Sequence, residues 1–360
     1  MEQTKKDRVM KKILIAVMYL CAYLTAVFIS LSAPAGVGIK IAMPAGVGIK
    51  IAIFFGGTLA GWLITAFFHE AGHAVAAGCN DFDVASFSFL IFRYDKQAIK
   101  KFGISLKNAH LGETDVVPKS GENIGKRYAL VIAGGIVGNV IAFAILFGGF
   151  LTFMLLSLPM YAALFCGMPV ALIILIINAV PGFLPDNDGS KLAVMLKNDE
   201  LCADTIKLLR LTAELYEGKS YAEADEALFD YGEDIPDYLK ASFCLMKLRR
   251  AEERFEPAEI VADMEKLQSY DDILDDEGLI ELLFADILLE DDERIKKYEY
   301  LLDKCDTLPG ASGMRTLVYY ANYKGDKNYV KTALKSAKKI CAKAYLKGDG
   351  KFNAEMLSRL

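Results

Sequence analysis

Two kinds of hydrophobic pattern divide the chain. From residue 13 to about 181 the apolar residues fall in long runs. From about 200 onward they recur every three or four positions among charged residues. A helix that crosses a bilayer needs about 20 mostly apolar residues. Four runs meet that length: 13–32, 51 to about 77, 128–157 and 160 to about 181. The first, ILIAVMYLCAYLTAVFISLS, follows five basic residues, as a signal peptide would. It is longer than an h-region of roughly 7–15 residues and no A-x-A site follows, so it is read as a retained span.

Other stretches break this rhythm. APAGVGIKIA at 33–42 repeats as MPAGVGIKIA at 43–52, and its prolines and glycines argue for a loop outside the bundle rather than a buried helix. Phe87, Phe89 and Ile91 alternate with Ser86, Ser88 and Leu90, which predicts a small β-hairpin over 82–95. Its edge suits an unwound peptide segment or an ordinary cover for the loop. Gly57 and Gly61, and Gly134 and Gly138, are small-xxx-small pairs for close helix contact.

The second half reads as helices with amphipathic spacing at 200–217, 238–255, 257–274, 278–305 and 329–347, with Gly218 as a stop. The expected fold class is therefore all-α: a polytopic membrane bundle of about four spans over 1–190, then a helical soluble domain over 191–360. Helix pairs of this length are similar to tetratricopeptide-type repeats, which bind a peptide or partner protein. A plain helical bundle is the alternative.

Charge sharpens the division. Residues 1–190 hold 15 basic and 11 acidic side chains; residues 191–360 hold 26 and 35. The acidic second half argues against a nucleic-acid partner. Basic residues crowd the N-terminus and the 79–127 loop, which places both, and the C-terminal domain, on the cytoplasmic side of a cell membrane. One stretch departs from the acidic trend. Residues 324–351 carry nine lysines and two acids, spaced so that neighbouring lysines share a helix face, and Gly348 and Gly350 are expected to end that helix. The face is either solvated or turned toward the membrane or an acidic partner. Cys202, Cys244, Cys305 and Cys341 show no metal spacing and are expected to be reduced core residues.

The candidate chemistry lies at the end of the second span, in FFHEAGHAVAAG at 67–78. Ionisable groups in such a segment are costly and usually functional. His69 and His73, four apart, share a helix face and can reach one metal ion. Zinc suits two imidazoles, and it lowers the pKa of bound water to about 7. Glu70 lies beside that face as the base that takes the proton. The two histidines leave zinc one protein ligand short. Asp186 and Asp188, where the chain leaves the fourth run, are the candidates, with loop or N-cap roles as the alternative.

H-E-x-x-H on one span and N-x-x-P…D-G on a later one resemble the site-2 protease family of intramembrane zinc metalloproteases. The resemblance covers roughly 50–195. It implies one zinc ion held by His69, His73 and the Asp before Gly189, which is Asp188, with Glu70 as catalytic base. It also implies membrane-anchored protein substrates, and substrate-binding roles for Asn139, in GIVGN, and Asn178. Two features depart from the family pattern. Ile136 replaces a proline, and the Asp eight residues after Asn178 is Asp186, which keeps Asp186 as a competitor. Asp188 is preferred because Gly189 would let the chain turn beside the metal. A catalytically inactive membrane scaffold of the same fold is the alternative function.

Overall fold

A computed structural model describes residues 47–96, 101–104, 110–156, 160–184, 187–197, 199–305 and 310–360. The expected span at 13–32, the first copy of the tandem repeat and Asp186 lie outside the described residues. Three helices are long and apolar enough to cross a membrane: α1 (Val47–Cys79), α2 (Ile124–Leu155) and α3 (Tyr161–Ala179). They pack on one another. α1 starts at Val47, so the second repeat copy enters the helix earlier than its glycines suggest.

The glycine pairs lie where helices touch. A methyl group on Gly57 would come within 2.3 Å of Ala163 O, and one on Gly61 within 2.4 Å of Gly167 Cα, both on α3. On α2, one on Gly134 would meet Gly72 O at 2.5 Å and one on Gly138 would meet Phe68 O at 2.1 Å. The backbones approach because no Cβ stands between them.

Between α1 and α2 the chain builds more than the expected hairpin. Strands β1 (Phe82–Leu90), β2 (Phe92–Asp95), β3 (Phe102–Ile104) and β4 (His110–Pro118) form an antiparallel sheet of order β3-β2-β1-β4. The β1–β2 turn pairs Phe89 with Phe92, and Leu90 takes the left-handed φ of 55° that so tight a connection demands. The β1–β4 pairing shifts register between Val84 and Ser86 and again between Ser88 and Leu90, so burial along β1 does not follow the predicted alternation. Arg127 at the start of α2 pairs with Asp81 at 2.9 Å and donates to Ser120, which closes the loop onto the end of α1.

Residues beyond α3 form nine further helices among the described residues, with short 3-10 turns at Glu226–Phe229 and Glu299–Lys304. They are α4 (Asp188–Lys197), α5 (Glu200–Glu217), α6 (Asp237–Arg254), α7 (Pro257–Gln268), α8 (Asp276–Leu288), α9 (Asp292–Tyr298), α10 (Ser312–Tyr323), α11 (Lys327–Cys341) and α12 (Lys347–Ser358). α5 spans its predicted residues and ends on Gly218 at φ 110°. The single helix expected over 278–305 is broken where Glu290 turns to φ 54°. α12 runs through Gly348 and Gly350 instead of stopping there. A methyl group on Gly348 would meet Lys219 O at 1.8 Å, so that glycine serves close packing. The core gathers Leu248, Met264, Phe284, Leu301 and Phe352. Cys202, Cys244, Cys305 and Cys341 are buried and unbridged.

The expected boundary at 190/191 falls inside α4. Ala213 of α5 shares a buried cluster with Ala77, Phe82, Ile124 and Val131, and Tyr216 Oη donates to Asp83 Oδ2 at 3.3 Å. α5 thus belongs to the cores of both halves.

Candidate metal centre

α1 presents His69 and His73 to α2 one helical turn apart, and α2 answers with two carbonyls at the same spacing. His69 Nδ1 lies 3.1 Å from Gly135 O, and His73 Nδ1 lies 2.9 Å from Val131 O. A carbonyl can only accept, so each Nδ1 carries the ring hydrogen and each Nε2 keeps its lone pair. This is the outer arrangement that orients metal-binding imidazoles.

Both Nε2 atoms face Asp188, the first residue of α4. Asp188 Oδ2 lies 3.2 Å from His73 Nε2 and 3.6 Å from His69 Nε2. It is buried and has no hydrogen-bond partner, because a neutral imidazole with Nδ1 protonated has no hydrogen to offer at Nε2. Three lone-pair atoms within 4.8 Å of one another therefore converge on one point. Tetrahedral bonds of about 2.0–2.2 Å place ligand atoms about 3.4 Å apart. The two separations to Asp188 bracket that value, a spacing at which the three atoms could share one cation.

Gly135 makes room for this convergence. A Cβ there would sit 2.3 Å from His73 Nε2 and 2.6 Å from Asp188 Oδ2. The sequence singles out GIVGN for Asn139, while its first glycine borders the three ligand atoms.

Asp188 is held by a neighbour that sequence reasoning missed. Asn187 Oδ1 accepts from Ser190 N at 2.7 Å, capping α4, while its Nδ2 donates to Ile177 O and Val180 O at the end of α3. An Asn ahead of a helix is a legible cap, but its grip on α3 is tertiary. Gly189 departs from the expected sharp turn: it is helical, and a Cβ on it would strike Ala179 O at 2.3 Å. Its value is close approach to α3.

Asn139 is completely buried against His69, with its amide 3.1 Å from Nδ1. Two donors cannot face each other, so the amide turns Oδ1 to His69 as an acceptor that shares the Nδ1 hydrogen with Gly135 O. Asn139 thus faces His69 and not an open surface. Asn178 is half-buried in the last turn of α3. Glu70 is buried, and its Oε2 accepts from Thr114 Oγ1 of β4 at 2.7 Å. Gly112 passes so close that a Cβ on it would lie 2.6 Å from Glu70 Cγ. Neither Thr114 nor Gly112 carries a sequence signal, since strand pairing alone brings them there.

No family model, curated protein or solved structure matches the chain.

Proposed function

We propose that the chain is an intramembrane zinc-dependent endopeptidase that hydrolyses peptide bonds of membrane-anchored proteins. The observation that carries this reading is the convergence of His69, His73 and Asp188, with Glu70 beside them, inside an apolar helix bundle. The motif resemblance to site-2 proteases supports it. A zinc ion in this cradle would act as a Lewis acid on a water molecule and on the scissile carbonyl. The chain does the rest. Val131 O and Gly135 O keep the imidazoles in the ligating tautomer, and Asn139 holds His69. Glu70 takes the proton from the attacking water and delivers it to the leaving amine. Thr114 fixes the orientation of that carboxylate. Asn139 and Asn178 are the residues that the family resemblance assigns to substrate backbone. The bundle is read as a multi-pass membrane protein with both termini in the cytoplasm, and the helical domain over 191–360 as a site for a protein partner.

Two variants test the reading in purified, reconstituted protein. Glu70→Gln should retain one zinc per chain and lose cleavage of a membrane-anchored substrate. His69→Ala should lose both. Unchanged cleavage in Glu70→Gln overturns the base assignment. The second reading, an inactive scaffold, is favoured by the way β4 packs onto Glu70. Wild-type protein that binds zinc yet cleaves no membrane substrate decides for it.

A further inference from the structure

The lysine-rich stretch is a strongly charged face that the proposed chemistry does not use. In α11, Ala333, Ala337 and Cys341 point into the core with Val330 and Leu334 packed around them. Lys327, Lys331, Lys335, Lys338 and Lys339 stand on the exposed side. Among the described residues none of these five pairs with a carboxylate, whereas Lys351 pairs with Glu223. Lys331, Lys335, Lys338 and Lys339 border an open trough of about 500 Å³ with Leu334 and Ala342 on its floor.

The chain that follows α11 is tied to the end of the candidate spans. Four residues after α11 ends, the Tyr345 ring meets Tyr216 edge to face at 5.6 Å and lies 5.4 Å from Lys96 Nζ. Lys96 pairs with Asp83 of β1. Asp81, Asp83, Lys96 and Arg127 cluster where α1 ends and α2 begins. Charges are too costly in hydrocarbon to lie deeper, so this cluster marks the level of the lipid headgroups. Tyr345 ties the C-terminal end of α11 to that level.

We propose that the exposed lysine face of α11 docks on anionic phospholipid headgroups of the membrane that the chain itself spans, and so fixes the helical domain over the bundle. The occupant follows from charge complementarity and height: unpaired ammonium groups beside a surface that carries phosphates, with apolar Leu334 and Ala342 in reach of the glycerol region. Each lysine close to an anionic leaflet adds roughly a fivefold preference for it. Reversing three of them should lower the docked-to-undocked ratio by on the order of a hundredfold or more.

The test uses the full chain in lipid nanodiscs, one set of phosphatidylcholine and one with about a third phosphatidylserine, at low salt. Lysines are acetylated with a soluble active ester and quantified by mass spectrometry, with exposed Lys266 as internal reference. Labelling of Lys331, Lys335, Lys338 and Lys339 should fall several-fold in the anionic discs alone and recover as salt is raised. In Lys331→Glu/Lys335→Glu/Lys339→Glu, labelling of Lys338 should return to its neutral-disc level. Equal labelling in both lipids overturns the proposal, as does protection of Lys338 that survives the triple change. Protection in neutral discs as well assigns the face to a contact within the protein and also overturns it. The salt titration needs no variant, so a folding defect in the triple change does not blunt the test.

Discussion

Gly135→Ala offers the sharpest test of the metal centre, because it adds one methyl group and removes no ligand. The new Cβ would lie 2.3 Å from His73 Nε2, 2.5 Å from its Cε1 and 2.6 Å from Asp188 Oδ2. Comfortable carbon contacts lie at about 3.5–4.0 Å. Either the ring or the carboxylate must therefore retreat by about 1 Å, whereas metal–ligand distances tolerate about 0.2 Å. Disturbing the outer partners of a metal ligand costs about 10–100-fold in affinity, and displacing the ligand itself should cost at least the upper end of that range. Competition with a graded series of chelators, read by elemental analysis of the repurified protein, measures it. Gly148→Ala on the same helix is the control, since nothing lies within 4 Å of its Cβ position; it should hold zinc like the wild type. If Gly135→Ala also holds one zinc at wild-type affinity, His69, His73 and Asp188 do not form the site.

Other expectations are independent of one another. Asn139→Ala should keep the fold and weaken metal affinity about 10–100-fold, because His69 Nδ1 loses a partner; unchanged affinity in the same chelator series removes Asn139 from the site. Gly61→Leu should lower the unfolding temperature in detergent, at a cost of about 1–3 kcal/mol for overpacking against Gly167, and an unshifted transition would show that α1 and α3 are not in contact. Arg315→Met removes one of the two guanidinium partners of fully buried Glu281, which keeps Arg249; denaturant titration should show a loss of about 1.5–3 kcal/mol, and a loss below about 1 kcal/mol counts against the pair. Burial, then the charge of Glu281, hold the Glu252 carboxyl well above its usual range. Its neutral form thus stabilises the fold at low pH, and that contribution declines as pH rises above the ordinary value of 4.5. Glu252→Gln should accordingly gain stability over wild type at about pH 8 relative to about pH 5, and a difference that is flat with pH refutes this.

The parts of the fold written in local periodicity were legible. Apolar runs gave the three described spans, and the i, i+4 rule put His69 and His73 on one face. α5 was readable from its stripe and its terminal Gly218. What escaped depends on pairing across the chain. β4, HLGETDVVP, has three acidic or hydroxyl side chains and a glycine, so its strand character comes from lying against β1. α10 opens on Ser-Gly and α12 on Lys-Gly-Asp-Gly, and their helicity is decided by the surfaces they meet, as with Gly348 on Lys219 O. In the site, the grouping of His69, His73 and Asp188 was available from the motif. The anchoring carbonyls of Val131 and Gly135 were not, since backbone atoms leave no signature in side-chain chemistry. Gly189 was noticed for the wrong property: flexibility was expected and thinness is what the packing uses.

The dual membership of α5 bears on how the protein is made. Synthesis proceeds from the N-terminus, and domains close as their residues become available. His69 and His73 are inserted long before Asp188 is translated, and Ala213 arrives later still. Until then Ala77, Phe82 and Ile124 lack the surface they pack against. The bundle therefore cannot complete its own interior even when Asp188 has joined the histidines; a chain stopped at 190 is an unfinished bundle. The cluster of His69, His73 and Asp188 would reach its final packing only once α5 has formed.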